Sequence, residues 1–268
     1  MLLVLDIGNT NITLGVFDAE RLVSSWRLAS DTKRSEDEYG IIIKNLLKDA
    51  DIEHKIDAAV VSSVVLPLTE KLQLAVKKYL GIDSIVVSHK INTGIEFKLD
   101  TPSEVGADRI ANGVAASKLY GAPVIVVDFG TATSFDVVNS NNEFVGGVIA
   151  AGMKIQADAL SNFTSKLPKL KIEAPQNVIG SNTVDAMLSG VVRGHAAMID
   201  GLVARCESEL GARATIVATG GYSSIISKYL MREFDYVNPD LTLIGLRLLY
   251  EENKYTVKKR IENFADVK

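Results

Sequence analysis

The chain of 268 residues contains a single cysteine, Cys206. That excludes an internal disulfide and any metal site built from cysteines, and it fits a reduced, cytoplasmic setting. Cys-x-x-Cys and His-Glu-x-x-His are both missing, and His54, His89 and His195 form no constellation, so structural zinc is not expected. There is no basic block of the kind nucleic-acid binding usually needs, and the formal net charge is −4, so nucleic acid is not an expected partner. No apolar run approaches the roughly 20 residues of a membrane span, and no membrane partner is expected. The opening MLLVLDIGN has no basic segment and is broken by Asp6, so it reads as a buried first strand instead of a signal peptide. The Walker A pattern, the Gly-x-Gly-x-x-Gly fingerprint and the Gly-x-Ser-x-Gly elbow are absent too. A P-loop, a dinucleotide fold and a serine hydrolase lose their main support.

What is present is apolar bulk and an internal repeat. Hydrophobic residues make up 47% of the chain, enough for a full core without staples. Val124–Val138 reads as an apolar strand running into Asp128, a Gly130-Thr131-Ala132-Thr133 turn, and a return strand. Leu2–Phe17 follows the same plan without a gap, matching Asp6 with Asp128, Gly8 with Gly130 and Asn9 with Thr131. The duplication points to two similar halves, expected at 1–121 and 122–268, each offering a carboxylate and a Gly-containing turn to a shared cleft.

The periodicity supports an α/β chain. Three strands open it, at Leu2–Leu5, Ile12–Val16 and Leu22–Leu28. Ser35-Glu36-Asp37-Glu38 is a capping box that starts a helix, and a strand over Ala58–Val65 follows. A helix over Leu66–Leu80 has Pro67 in its first turn and Gly81 just past its end. Thr101-x-x-Glu104, with Pro102, predicts a helix start near Glu104. The second half repeats the three-stranded meander, at Val124–Val127, Phe135–Val138 and Phe144–Ile149, with Gly146, Gly147 and Gly152 marking close backbone approach. Leu167–Ser181 reads as a loop, Asn182–Leu210 as a helix weakened by glycines, and Thr215–Ala218 as a strand entering Thr219-Gly220-Gly221. A last helix passes through Leu243, Leu246 and Leu249, and the charged tail from Glu251 is expected to fray.

A lone Asp-x-Gly is ordinary turn chemistry. Two copies on buried strands favour phosphate and metal binding, because glycine lets backbone N–H groups approach anionic oxygens and a carboxylate can hold a hydrated cation. Thr219-Gly220-Gly221 could let a nucleotide lie flat on the backbone, and reads equally as a plain strand-to-helix loop. Asp108 falls near the first turns of a helix, where the dipole favours its ionised form. It fits a hydrogen-bond acceptor for a substrate hydroxyl, and equally an N-terminal helix charge in a surface ion pair, while Arg109 could pair with an anionic substrate.

Taken together, DIGNTNIT (Asp6–Thr13), PSEVGADRIAN (Pro102–Asn112), VDFGTATSFD (Val127–Asp136), GGVIAAG (Gly146–Gly152), GSNTVDAMLSG (Gly180–Gly190) and ATGG (Ala218–Gly221) resemble the type III pantothenate kinases. These belong to the acetate and sugar kinase, heat-shock cognate and actin superfamily. The resemblance implies two duplicated ribonuclease H-like (actin-like ATPase) domains, each a mixed sheet with an antiparallel meander and flanking helices. It also implies ATP-dependent phosphorylation of pantothenate on the way to coenzyme A. By carry-over, Asp6, Ile7, Gly8, Asn9, Thr10, Asn11, Ile12, Thr13 and Thr131 contact ATP. Gly106, Ala107, Asp108, Arg109 and Thr183 contact pantothenate, with Asp108 as proton acceptor. Asp128 holds a monovalent cation, K⁺ or NH₄⁺, and Mg²⁺ accompanies ATP. A cytoplasmic homodimer is implied as well. Leu99 stands where many relatives have Tyr, and Ala151 where many have Pro. A nucleotide-binding transcriptional regulator similar to Bvg accessory factor, and a superfamily kinase for another small hydroxy substrate, are the competing readings.

Overall fold

The computed structural model describes residues 1–265, with side chains described for 1–254. The chain divides into two compact units, Met1–Ala115 with the segment that begins at Leu241, and Ala116–Asp240. The last helix therefore belongs with the first unit, whereas the boundary expected at 121/122 implies the second half.

The first unit is built on β1 (Leu2–Ile7), a strand with no exposed side chain. Apolar side chains on both faces require cover on both faces, which places this strand in the middle of a sheet. It pairs antiparallel with β2 (Asn11–Asp18), which pairs antiparallel with β3 (Arg21–Ala29). On its other side it runs parallel to β4 (Ala58–Ser63), which is parallel to β5 (Ser84–Val86). The order is β3-β2-β1-β4-β5.

Helix α1 (Glu36–Asp49) follows β3 and begins at the capping box read from sequence. Ser35 Oγ accepts from Glu38 N, while a Glu38 carboxylate oxygen accepts from Ser35 N at 2.8 Å. Helix α2 (Leu66–Leu80) ends at Gly81 with φ +75°, a left-handed conformation that glycine adopts without penalty. Tyr39, Ile43 and Leu47 of α1 share one core with Leu68, Leu72 and Val76 of α2 and with β1. After β5 the chain makes a two-residue strand, β6 (Glu96–Phe97), and reaches α3 (Ala107–Tyr120).

Here the sequence reading needs correction. Pro102–Glu104 forms a short turn of its own, Thr101 makes no side-chain cap, and Val105 is extended at φ −71°, ψ 125°. The helix starts at Ala107, so Asp108 is its second residue.

The second unit repeats the first. Strands β7 (Val124–Phe129), β8 (Ala132–Val138) and β9 (Glu143–Ala151) form the antiparallel meander. Helices α4 (Met153–Asn162), α5 (Thr183–Leu188) and α6 (Gly194–Leu210) precede β10 (Thr215–Gly220), which runs parallel to β7. The short α7 (Ser223–Ile226) leads to β11 (Tyr236–Val237), parallel to β10. These five strands are ordered β11-β10-β7-β8-β9, the same pattern as in the first unit. Even the register irregularity recurs, at Val16/Phe17 and at Val137/Val138. The expected long helix over Asn182–Leu210 is interrupted by one π-helical turn, Ser189–Arg193, between α5 and α6. Loop 167–181 has no element of its own, as expected.

Helix α8 (Leu241–Ala265) closes the first unit. Leu241, Leu243, Leu246 and Leu249 are buried, and Thr242 Oγ1 donates to Asn112 Oδ1 of α3 at 2.8 Å. Gly245 lies so close to α3 that an added Cβ would meet Ala111 O at 2.1 Å. The fraying expected from Glu251 is not seen in the backbone, which is helical to Ala265; residues 266–268 lie outside those described. Among the described residues no helix is long and apolar enough to cross a membrane.

The close approach of α3 and α8 gives a test with two signs. Gly245→Ala puts a methyl group into backbone and lowers stability by about 1–3 kcal/mol. Gly194→Ala, at φ −62° with nothing within 4 Å of the added carbon, raises it by about 0.5–1 kcal/mol. Urea midpoints of the two variants check both.

Candidate active site

In the first unit the acidic turn lies at the C-terminal end of β1. Asp6 is half-buried between Thr13 on β2 and Ser62 on β4. Ser62 Oγ donates to Asp6 Oδ1 at 3.0 Å. Gly8 N donates to Asn11 O at 2.9 Å, and Ser30 Oγ donates to Gly8 O at 2.6 Å. These bonds tie down a turn whose Asn9, Thr10 and Asn11 are exposed, while Ile7 and Ile12 sit in the core and Thr13 is half-buried. The exposed turn is thus rigid at its base and polar at its tip.

Asp108 belongs to the same unit and the same end of the parallel strands. Beyond Ser62, Val64 N donates to Ile7 O at 3.1 Å, so the chain leaving β4 stays against the end of β1. Its side chain then meets Gly106: a Cβ at Gly106 would lie 3.3 Å from Val64 Cγ1 and 2.4 Å from Asp108 Oδ1. Gly106 is therefore the residue that leaves room for the Asp108 carboxylate. Asp108 Oδ1 accepts from Arg109 N at 2.8 Å. Burial pushes the Asp108 carboxyl above its ordinary value, while the Arg109 backbone N–H and guanidinium pull it partly back. A carboxylate raised toward neutrality, at the start of a helix, can accept a proton from a hydroxyl.

In the second unit Asp128 occupies the matching end of β7, between Ser134 on β8 and Thr219 on β10. One glycine lies against its carboxylate and another against the turn that follows. Gly220, at φ +85°, would carry a Cβ 2.7 Å from Asp128 Oδ1. Gly152 would carry one 2.3 Å from Thr131 O, so the start of α4 presses on the exposed Gly130-Thr131 turn. Thr183, also exposed, is the first residue of α5, whose N-cap Asn182 accepts from Asp185 N at 3.0 Å.

A buried polar cluster behind this turn was not singled out from sequence. His195 is 1% exposed on α6. Gln156 Nε2 lies 2.8 Å from Ala151 O and 2.9 Å from His195 Nδ1. The carbonyl only accepts, so Gln156 donates to it and, with its second hydrogen, to Nδ1. That places the imidazole proton on Nε2, which donates to Thr133 Oγ1 at 2.9 Å. The signal was a lone His in a glycine-rich helix, which reads as packing until Gln156 is placed beside it.

The family follows from comparison with known proteins. The model of the type III pantothenate kinases matches residues 2–205. The chain belongs to this family. It is 45% identical over 255 residues to the type III pantothenate kinase of Exiguobacterium sibiricum, covering 95% of this chain and 100% of that one. It is 43% identical over 254 residues to that of Halalkalibacterium halodurans, covering 94% and 100%. Among solved structures, one from Campylobacter jejuni described as a conserved Baf family transcriptional activator superposes with TM-score 0.60 at 20% identity, over 94% of this chain and 99% of that one. One from Listeria monocytogenes described as an N-acetylmannosamine kinase gives 0.52 at 12% identity, over 94% and 99%. At such identities the likeness is one of fold, and that fold is the duplicated actin-like one of the sugar kinases.

The donor sets suit the ions of such a kinase. Mg²⁺ prefers one or two carboxylates plus water and phosphate oxygens. Asp6 with its polar turn fits an ion carried in by the nucleotide, and among the described residues no cluster of three acidic, His or Cys side chains forms a resident metal site. Asp128 offers a carboxylate, a hard oxygen donor, with the Gly220 backbone packed close against it.

His195 gives a pH test. Burial lowers its pKa from 6.5 to about 4 in the folded protein. Protonation is therefore easier in the unfolded chain, and this contribution to stability is complete above pH 6.5 and lost as pH falls toward 4. The urea midpoint of the native protein should decline across that window more steeply than that of His195→Asn, by the uptake of up to about one proton. Equal slopes would remove His195 from the acid sensitivity.

Proposed function

We propose that the protein transfers the γ-phosphoryl group of ATP·Mg²⁺ to the primary hydroxyl of pantothenate, giving 4′-phosphopantothenate and ADP, the first step toward coenzyme A. The observation that carries this reading is Asp108, the second residue of α3, with a carboxylate for which Gly106 leaves the space. It stands in a chain of the type III family whose two acidic strand ends repeat one design.

Asp6–Thr13 and Thr131 hold the nucleotide through backbone N–H groups, hydroxyls and the Asp6 carboxylate. Mg²⁺, when bound with ATP, neutralises charge on the β- and γ-phosphates. Gly106, Ala107, Asp108, Arg109 and Thr183 hold pantothenate, with the Arg109 fork as partner for its carboxylate. Phosphoryl transfer passes through a loose transition state, so positioning and charge neutralisation do most of the work. Asp108 orients the attacking hydroxyl and takes its proton as the O–P bond forms and ADP departs. Asp128 holds K⁺ or NH₄⁺, supplying positive charge that a lysine supplies in P-loop enzymes. The protein works in the cytoplasm as a homodimer.

ADP release with ATP, Mg²⁺ and pantothenate, measured in K⁺ and again in Na⁺, tests the reaction and the cation together. Pantothenate-dependent turnover that needs K⁺ is expected, and Asp128→Ala should abolish the response to K⁺. Turnover on N-acetylglucosamine or acetate with none on pantothenate would replace the substrate assignment.

Two variants test Asp108. Asp108→Asn should lower kcat by about two or more decades while ATP still binds. Gly106→Ala displaces the carboxylate through a side-chain contact and not through backbone. It should cost activity heavily and stability little. Near-normal turnover in Asp108→Asn would remove the residue from its role.

A further inference from the structure

The two units share a feature that neither acidic turn reveals by itself. Each acidic strand end has a hydroxyl residue opposite it on the parallel neighbour, Ser62 beside Asp6 and Thr219 beside Asp128. Both are buried, at 0% and 2% exposure. The strand residues before Ser62, Ala59, Val60 and Val61, are all apolar and buried. A hydroxyl in that setting is unfavourable unless it is hydrogen-bonded. Ser62 commits its single proton to Asp6 Oδ1 at 3.0 Å.

We propose that Ser62 is a positioning residue for the nucleotide-borne Mg²⁺: its hydroxyl fixes the orientation in which the Asp6 carboxylate receives the hydrated ion. The proposal rests on the nucleotide role given to Asp6 above. The terminal torsion of an aspartate is broad, so the carboxylate plane is set by its partners more than by its rotamer. A site that contributes few carboxylates to Mg²⁺ depends on that plane, because an octahedral ion tolerates little misplacement of its ligands and waters. Outer partners of metal-binding groups typically change metal affinity by about 10–100-fold when removed. Thr219 stands at the matching position of the second unit, which makes Ser62→Thr the conservative variant.

The test is the affinity of the full chain for ATP by calorimetry, with Mg²⁺ and again with EDTA. Ser62→Ala should weaken binding of ATP·Mg²⁺ about tenfold or more and leave metal-free ATP unchanged. Ser62→Thr should restore it. The Mg²⁺ concentration for half-maximal turnover should rise in parallel, with the KM for pantothenate unchanged. A Ser62→Ala protein that binds ATP·Mg²⁺ like the native one, or that loses both forms equally, overturns the proposal. Should Ser62→Ala not fold, Ser62→Cys keeps the volume with a much weaker donor and is read against the same two outcomes. The role of Asp6 is checked separately with Asp6→Asn. If that variant binds ATP·Mg²⁺ like the native chain, the nucleotide assignment fails, and the role of Ser62 fails with it.

Discussion

The structure depends on one constraint: a carboxylate carried by a strand that is otherwise buried on both faces. Leu2–Leu5 and Val124–Val127 are all buried, and each run ends in a half-buried aspartate. A charge on such a strand can be solvated only at its end. The parallel neighbours β4 and β10 end at the same level, so the polar ends of two strands meet at one edge of each sheet. In open α/β sheets this edge, beyond the carboxyl ends of the strands, is where ligands bind. The apolar core thereby decides where the chemistry can be.

Glycine then decides how near the chain can come. Gly106 and Gly220 lie against carboxylates, Gly152 against the carbonyls of the Gly130-Thr131 turn, and Gly245 against the backbone of α3. These positions are not equivalent. At Gly106 the obstacle to a larger residue is the end of a side chain, so the loss falls on the position of Asp108. At Gly152 and Gly245 the obstacle is backbone, so the loss falls on the fold. Function and stability are separated residue by residue within one class of amino acid.

Much of this was legible in the sequence, and the reasons differ from element to element. The Asp6 and Asp128 turns could be read because the repeat aligns without a gap and strand periodicity is a strong signal. The start of α1 could be read because a capping box is local chemistry. The start of α3 could not. Thr101-Pro102-Ser103-Glu104 has the composition of a cap, but the extended Val105 separates that turn from the helix, and no local rule reveals such a break. The attachment of α8 to the first unit was equally hidden, because it rests on Gly245 and Thr242 meeting a helix more than a hundred residues away. Ser62 and the Gln156–His195–Thr133 cluster escaped for the same reason. A buried serine or histidine acquires meaning only from the partner the fold supplies.

Duplication also leaves the two acids in different surroundings. Opposite Asp6, the residue that follows the buried hydroxyl is Ser63; opposite Asp128 it is Gly220, with φ +85° and backbone packed against the carboxylate. In the first unit a side-chain donor orients the acid, which suits a strongly hydrated ion that keeps its waters and meets the protein through few contacts. In the second unit the Gly220 backbone packs against the acid. The strand order, the acid and the hydroxyl are common to both copies. In the proposed reading the two carboxylates divide nucleotide-borne Mg²⁺ and a monovalent cation between them, with Ser63 following the hydroxyl in one copy and Gly220 in the other.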